Sequence, residues 1–291
     1  MPLDRWELLL IDNGSSSPLS LSYDLSWHPN ARHVREDKLG LTMARLRGIH
    51  EATSDLLVFV DDDNVLDARY LETALQLSVE WPKVGVFGGS QIPDYEESSD
   101  GLEDCLHMLA IRTIAEVLWT NIKGIDQATP RGAGLCIRRD LALNYARRVE
   151  VDPLRKMLDR SGKSGLLSGG DTDLAWTACD FNYGMLVSPA LRLTHLIDKR
   201  RLDKSYLLKL AAGHAASGVL LAHIHNMPRS NSLLIDNSRE ILRILQASRL
   251  FEKRVLISGM MGRRRGYKIL QEYTDASISC SVEREKKNEA K

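Results

Sequence analysis

Over the first hundred residues, short apolar runs alternate with stretches of helical spacing. Trp6 to Ile11 is an apolar run ending in Asp12-Asn13-Gly14-Ser15, the pattern of a buried strand followed by a tight turn. Ser15 to Asn30, rich in Ser and Pro, reads as an irregular connection. Gly40 to Ala52 sets Leu41, Ala44, Leu46 and Ile49 at helical spacing, and Leu56 to Val60 is an uninterrupted strand-like run that stops at three aspartates. Ala68 to Glu80 predicts the next helix and Val84 to Gly88 the next strand. Strand and helix in alternation are what a parallel sheet in an α/β domain requires.

Further along, the acidic, Ser-rich segment Asp94 to Asp104 reads as a loop, and Leu106 to Trp119 is helical by pattern. A loop through Pro130 and a turn at Gly132 to Gly134 lead to a brief strand at Leu135 to Ile137. Asp140 to Arg148 predicts a helix, and the Gly/Ser-rich stretch Ser161 to Gly170 opens another at Thr172 to Cys179. Met185 to Val187 and Leu191 to Thr194 read as short strands, and from about Asp203 nearly every residue has helical spacing. The chain thus divides into an α/β domain over residues 1–200, a helical extension over 201–282 and a charged tail over 283–291 that is expected to be disordered. No internal repeat is present.

Composition narrows the classes. The 291 residues suffice for one large α/β domain with an appendage. Acidic and basic residues balance at 39 each, so no global field attracts nucleic acid, and none is expected as a partner. Cys105, Cys136, Cys179 and Cys280 are widely spaced with no Cys-x-x-Cys pair, which reads as reduced thiols in a cytosolic protein. The N-terminus has neither the basic start nor the apolar stretch of a signal peptide, so the expectation is a cytoplasmic protein. Tyr206 to Ile224 is the longest near-apolar segment, yet Lys209 and His214 interrupt it and it only just reaches the roughly 20 residues of a spanning helix. A buried or interfacial helix is the better reading. Arg263-Arg264-Arg265 with Lys268, beside Met260 and Met261, is either a solvated face or one that meets an anionic membrane.

The candidate chemistry is carboxylate chemistry. Asp61-Asp62-Asp63-Asn64 follows directly on the apolar run, at the end of a strand where open α/β sheets bind ligands. Three adjacent like charges repel, and a divalent cation relieves them. Alternation along an extended segment points Asp61 and Asp63 the same way, which makes them the first ligand pair. The competing reading is an acidic turn that caps the next helix. Asp171, just ahead of a predicted helix, is open to the same two readings, and Asp173 reads as a cap or an acceptor contact. Asp12 with Asn13 and Gly14 suits a turn as well as a binding role. An isolated His195 beside apolar residues is often simply hydrogen-bonded in place, and Arg45 on a helix face is often solvated.

Three segments resemble one family. Trp6-Glu7-Leu8-Leu9-Leu10-Ile11-Asp12-Asn13-Gly14-Ser15 looks like the second strand and turn of family-2 glycosyltransferases. Gly40-Leu41-Thr42-Met43-Ala44-Arg45-Leu46-Arg47-Gly48 resembles their helix, and Leu57-Val58-Phe59-Val60-Asp61-Asp62-Asp63-Asn64 their strand and Asp-x-Asp. Downstream, Gly169-Gly170-Asp171-Thr172-Asp173-Leu174 resembles their Gly-Glu-Asp-x-Asp-Leu, with Gly170 where the family has Glu. Pro189 to His195 resembles a strand ending in a His that approaches the metal or diphosphate. The resemblance spans roughly residues 6 to 197.

The resemblance implies a GT-A (nucleotide-diphospho-sugar transferase) α/β fold, a Rossmann-like mixed sheet with a helical C-terminal extension. It implies an inverting transferase that takes a sugar from a nucleotide-diphosphosugar donor to a glycan or lipid-linked acceptor, with Mn²⁺ or Mg²⁺ as cofactor. Asp63 would hold the metal with Asp61 and His195. Asp12, Arg45, Asp61 and Asp62 would contact the nucleotide sugar, and Asp171 would be the catalytic base. Polysaccharide assembly, with peripheral association at the inner face of the membrane, is the setting such enzymes suggest. The strand, nucleotide-binding loop and helix that open a GT-A domain are not seen ahead of Trp6, so the expectation is an N-terminally shortened domain. Two other classes stay open: a non-catalytic nucleotide-sugar-binding or scaffold relative, and another metal-dependent enzyme such as a nucleotidyltransferase or phosphohydrolase.

Overall fold

The structure is a computed structural model; it describes residues 1–159, 166–227 and 241–289, with side chains through 276. The central layer is a mixed sheet in the order β3-β7-β5-β8-β4, with β6 also paired to β8. Its strands are β3 (Leu56–Val58), β4 (Asn64–Leu66), β5 (Val84–Tyr95), β6 (Leu118–Thr120), β7 (Cys136–Arg138) and β8 (Gly184–Ile197). β5 and β8 run parallel, whereas β3, β4, β6 and β7 pair antiparallel to their neighbours. The strand before the three aspartates therefore lies on an antiparallel partner, not in the all-parallel sheet that the early alternation predicts.

A separate two-stranded parallel sheet joins β1 (Leu8–Asn13) to β2 (Ala31–Glu36). β1 is held beside β3 without pairing with it. Glu7, just before β1, accepts the backbone N–H groups of Thr53 and Ser54, just before β3, at 2.7 and 2.8 Å. α1 (Leu41–Glu51) packs against β1. Leu46 and Ile49 on its inner face join Leu57, Val86, Leu141 and Met185 in one core, with Leu9 packed against it. α2 (Tyr70–Glu80) covers the other face through Tyr70, Ala74 and Leu77, together with Phe87 and Leu186.

Some elements differ from the sequence reading. β2 lies in a segment with no predicted strand, because Arg32, His33 and Arg35 hide its period-2 pattern. β5 is twelve residues long and continues through Ser90 and Gln91: Ser90 Oγ accepts the Ile114 N–H, the Gln91 backbone pairs with Arg112 and its Nε2 donates to the Ala133 carbonyl. Leu106 to Trp119 is not a helix. A 3₁₀ segment at Glu103–Leu109 ends at Ala110, whose φ of 59° is left-handed, and β6 follows. The two short strands around Pro189 are one strand, β8.

α3 (Arg139–Val151) and α5 (Gly170–Asp180) complete the helical cover of the first core, while Leu154 and Met157 of α4 (Pro153–Met157) pack into a different one. α6 (Lys204–Ile224) and α7 (Leu250–Glu289) form the C-terminal layer, and a short helix occupies 241–246. α6 is long and apolar enough to cross a membrane. Its Leu207, Leu210, Ala211, Ala216, Leu220 and Leu221 are buried in two further cores, as a packed helix requires. The backbone stays helical through Glu289, where charge alone led to an expectation of disorder; Glu and Lys are good helix formers even when solvated. Cys105 and Cys136 are free and buried and Cys179 is free; the side chain of Cys280 lies outside the described residues.

Candidate active site

The loop after β3 carries the three aspartates and turns into β4 through a backbone bond from Asn64 N–H to Asp61. β4 pairs with the end of β8, with Asn64 opposite His195. This register brings Asp63 to His195, and His195 Nε2 lies 3.4 Å from Asp63 Oδ2. Arg201, on the 3₁₀ turn Lys199–Leu202 that follows β8, reaches both: its Nη1 is 3.0 Å from Asp63 Oδ2 and 2.9 Å from His195 Nε2. His195 is buried, and its Nδ1 has no hydrogen-bond partner.

Asp61, Asp63, His195, Arg201, Arg45 and Asp171 line one cavity. Arg45 enters from α1, with Nη2 3.5 Å from Asp61 Oδ1 and its guanidinium over the Phe59 ring. Asp62 points away and is exposed, off the cavity wall. The alternation predicted for the triplet is what the structure has, with Asp61 and Asp63 facing in and Asp62 out.

Asp171 stands on the first turn of α5. Its Oδ2 accepts the Gly132 N–H at 2.9 Å and its Oδ1 accepts the Thr172 N–H. Gly132 leaves room for this approach: a Cβ there would sit 2.7 Å from Arg45 Nη2 and 3.1 Å from the Asp171 carboxylate. Burial opposes the charge on Asp171, but the Arg45 charge, the two backbone N–H groups and Arg131 outweigh it and hold the carboxyl below its ordinary value. Asp63 behaves alike: burial is overcome by the bond from His195 and the charges of Arg201 and His195, so its pKa is lowered. Both groups are therefore carboxylates at neutral pH.

Gly170, which stands where the resemblance has Glu, is packed tightly: a Cβ would approach the Leu158 carbonyl to 3.1 Å and Thr42 Oγ1 to 3.3 Å. Asp173 is neither a cap nor an acceptor contact. It is fully buried, ion-paired with Arg155 of α4 and 2.7 Å from His225 Nε2 at the end of α6. Asp12 is also occupied: its oxygens accept the N–H groups of Ser15 and Leu19 and pair with Arg35 at 2.8 Å. These bonds overcome desolvation and lower its pKa, and Asp12 does not line the cavity. Its place is that of a turn builder.

Among the described residues, no group of three or more His, Cys, Asp or Glu side chains converges on one point. What the cavity offers is a carboxylate–imidazole pair, Asp63 and His195, with Asp61 on the same wall. An oxygen-rich donor set of this size fits Mg²⁺ or Mn²⁺, which take few protein ligands and fill their sphere with phosphate oxygens and water. The buried His195 Nδ1 has no partner, and Nε2 is the ring nitrogen that faces Asp63 and Arg201. Arg201 itself was invisible to sequence reasoning. It sits in the basic run Lys199-Arg200-Arg201, and only the pairing of β4 with β8 singles it out.

Residues 2–132 match the model of the family described as glycosyl transferase family 2. The match covers less than half of the chain, which is a mixed-sheet α/β protein whose N-terminal part is similar to that family. No curated protein matches the sequence. Among solved structures it is similar to the mannosyltransferase PcManGT from Pyrobaculum calidifontis in complex with GDP-Man and Mn²⁺, at 15% identity and a TM-score of 0.49 over 95% of this chain and 72% of that one. It is similar also to S. aureus TarS 1-349, at 12% identity and a TM-score of 0.46 over 94% and 84% of the two chains. GalNAc-T7 with UDP, GalNAc and Mn²⁺ matches at 13% identity and a TM-score of 0.43, over 81% of this chain and 51% of its own. The chain thus spans about half the length of that transferase.

Proposed function

We propose that the chain transfers a sugar from a nucleotide diphosphosugar to an acceptor hydroxyl, with inversion and with a divalent metal. The supporting observation is that one cavity presents both an anchored, ionised carboxylate, Asp171, and the Asp63–His195 pair. Displacing a nucleoside diphosphate builds positive charge at the sugar carbon and negative charge on the departing phosphates. Mg²⁺ or Mn²⁺, held by Asp63 and His195 with Asp61 beside them, would neutralise those phosphates as a Lewis acid. Arg45 and Arg201 add fixed positive charge at the same wall.

Asp171 is assigned as general base. The acceptor oxygen attacks the sugar carbon from the face opposite the diphosphate while its proton passes to an Asp171 oxygen, and that opposite-face attack inverts the centre. The two N–H bonds to Asp171 fix its orientation before the acceptor arrives. Free, buried Cys105 and Cys136 suit a reducing cytoplasm, where a glycan or lipid-linked acceptor in polysaccharide assembly would be met. The direct test is release of nucleoside diphosphate from UDP-, GDP- or dTDP-sugars in the presence of acceptor glycans. Free pyrophosphate or phosphate as the product would instead identify a nucleotidyltransferase or phosphohydrolase.

One observation favours a second reading. β1 and β2 form their own sheet, so the turn that carries Asp12 is not tied by strand pairing to the wall that carries Asp63. A non-catalytic nucleotide-sugar-binding relative would tolerate this. Donor binding without turnover for any acceptor would select it.

A further inference from the structure

The outer face of α7 is not used by the site or the cores. Leu250, Arg254, Ile257, Met261, Arg264, Arg265 and Lys268 recur every three or four residues and are all exposed, so they form one stripe along the helix. The opposite face is committed to α6. A Cβ on Gly262 would lie 2.1 Å from the Ala212 carbonyl and one on Gly266 2.8 Å from that of Ala216, and Leu270 is buried against Leu220 and Leu221. The stripe is therefore presented rigidly, backed by a packed helix pair. From Leu250 to Lys268 it runs about 27 Å.

From Leu250 to Lys268 its charge has one sign, and Glu272 lies 3.8 Å from Lys268 at the far end. Between Glu252 and Glu272 the chain carries Lys253, Arg254, Arg263, Arg264, Arg265 and Lys268 and no acidic residue, although the protein as a whole is neutral. Leu250 is 77% exposed and Met261 62%, which places large apolar side chains in the same stripe as the guanidinium and ammonium groups. Protein-binding patches enrich Met and Arg but are centred on aromatics, with Lys depleted. This stripe has no exposed aromatic and intersperses cations with Leu, Ile and Met. Such a surface matches a bilayer whose headgroups are anionic and whose acyl boundary takes isolated apolar side chains.

We propose that the outer face of α7 docks on an anionic lipid surface. Arg254, Arg264, Arg265 and Lys268 meet the headgroups while Leu250, Ile257 and Met261 enter the acyl boundary. The far side of the same helix pair faces the cavity, since Tyr206 and Leu210 of α6 line it. Docking thus brings the cavity to within a helix layer of the membrane, where a lipid-linked acceptor would be presented. Lipid binding needs no donor, metal or turnover, so its failure and the failure of the transferase reading are separable.

The test is co-sedimentation of the full chain with vesicles of phosphatidylglycerol and phosphatidylcholine, against pure phosphatidylcholine vesicles, over a range of salt. The wild type is expected to bind the anionic vesicles, with affinity falling as salt rises. Arg264→Glu/Lys268→Glu should weaken binding by ~25-fold or more, from about fivefold per basic residue at the surface. The milder Ile257→Ser/Met261→Ser should weaken it too, leaving the salt dependence in place, and donor binding by both variants should stay at the wild-type level. Equal binding to neutral and anionic vesicles, or no effect of either double variant, would overturn the assignment. So would a wild type that ignores vesicles and instead self-associates, or binds duplex DNA, through the same residues.

Discussion

At the scale of single residues, the chemistry depends on where charges are held. Asp171 is fixed by two backbone donors and kept ionised by Arg45, so its substitution should separate binding from chemistry. Asp171→Asn is expected to lower kcat by about 10²- to 10⁴-fold, the usual worth of a positioned base, with little change in donor affinity by calorimetry. Because the Asp171 pKa is lowered from 3.8, its loss of activity on acidification should set in only below that value. An acid limb that vanishes in no variant and lies above pH 5 would point to another base. Arg201 makes a different prediction. Its charge rests on Asp63 Oδ2 and opposes a cation there, so Arg201→Ala should tighten Mn²⁺ binding in the absence of nucleotide, read by electron paramagnetic resonance titration. Most of these residues were legible in the sequence: Asp61, Asp63, Asp171, His195 and Arg45 were all singled out and share one cavity. Asp12 and Asp62 were singled out as well and lie off it, because a strand-end motif does not say which carboxylates a turn consumes. Arg201 carried no signal, since its meaning comes from a strand pairing that joins residues far apart in sequence.

At the scale of elements, the helices that bury a clear apolar stripe were read correctly, and the failures have specific causes. β2 is a strand whose exposed residues are Arg32 and Arg35, so pairing and not hydrophobicity defines it. The stretch after Leu106 mimics a helix because Leu106, Leu109 and Ile111 all pack into the C-terminal core, and a 3₁₀ turn delivers them there as well as an α-helix would. Asp173 shows how elements are joined. Its buried carboxylate binds Arg155 and His225, tying α5 to α4 and to the end of α6. Asp173→Ala takes the shared carboxylate from His225 and leaves Arg155 only the Asp152 carboxylate, and should cost about 3–5 kcal/mol in urea unfolding. An effect under 1 kcal/mol would mean that water replaces the carboxylate.

At the scale of the whole molecule, the early alternation of strand and helix implied an α/β architecture, and the structure has one. The mixed directions and the separate β1–β2 sheet were beyond periodicity, which records burial and not which strand lies beside which. The electrostatics give a global prediction. Asp63, Asp171 and Asp180 all have pKa values lowered from 3.8, each against the opposing effect of burial. Groups depressed on folding stabilise the native state fully above their unfolded pKa and lose that contribution as pH falls through the folded value. Thermal stability should therefore be flat near neutrality and fall below about pH 4, and the triple Asp→Asn variant should lose part of that acid dependence, the rest staying with groups such as Asp12 and Asp198.

The central claim is that one cavity holds a nucleotide diphosphosugar with a divalent metal at Asp63. Calorimetric titration of the wild type and of Asp63→Ala with UDP-, GDP- and dTDP-sugars, with and without Mn²⁺, tests it most directly. The account predicts that one donor binds the wild type only with Mn²⁺ and that Asp63→Ala removes the metal dependence. Absence of donor binding by folded wild type, or metal-dependent binding unchanged in Asp63→Ala, would contradict it.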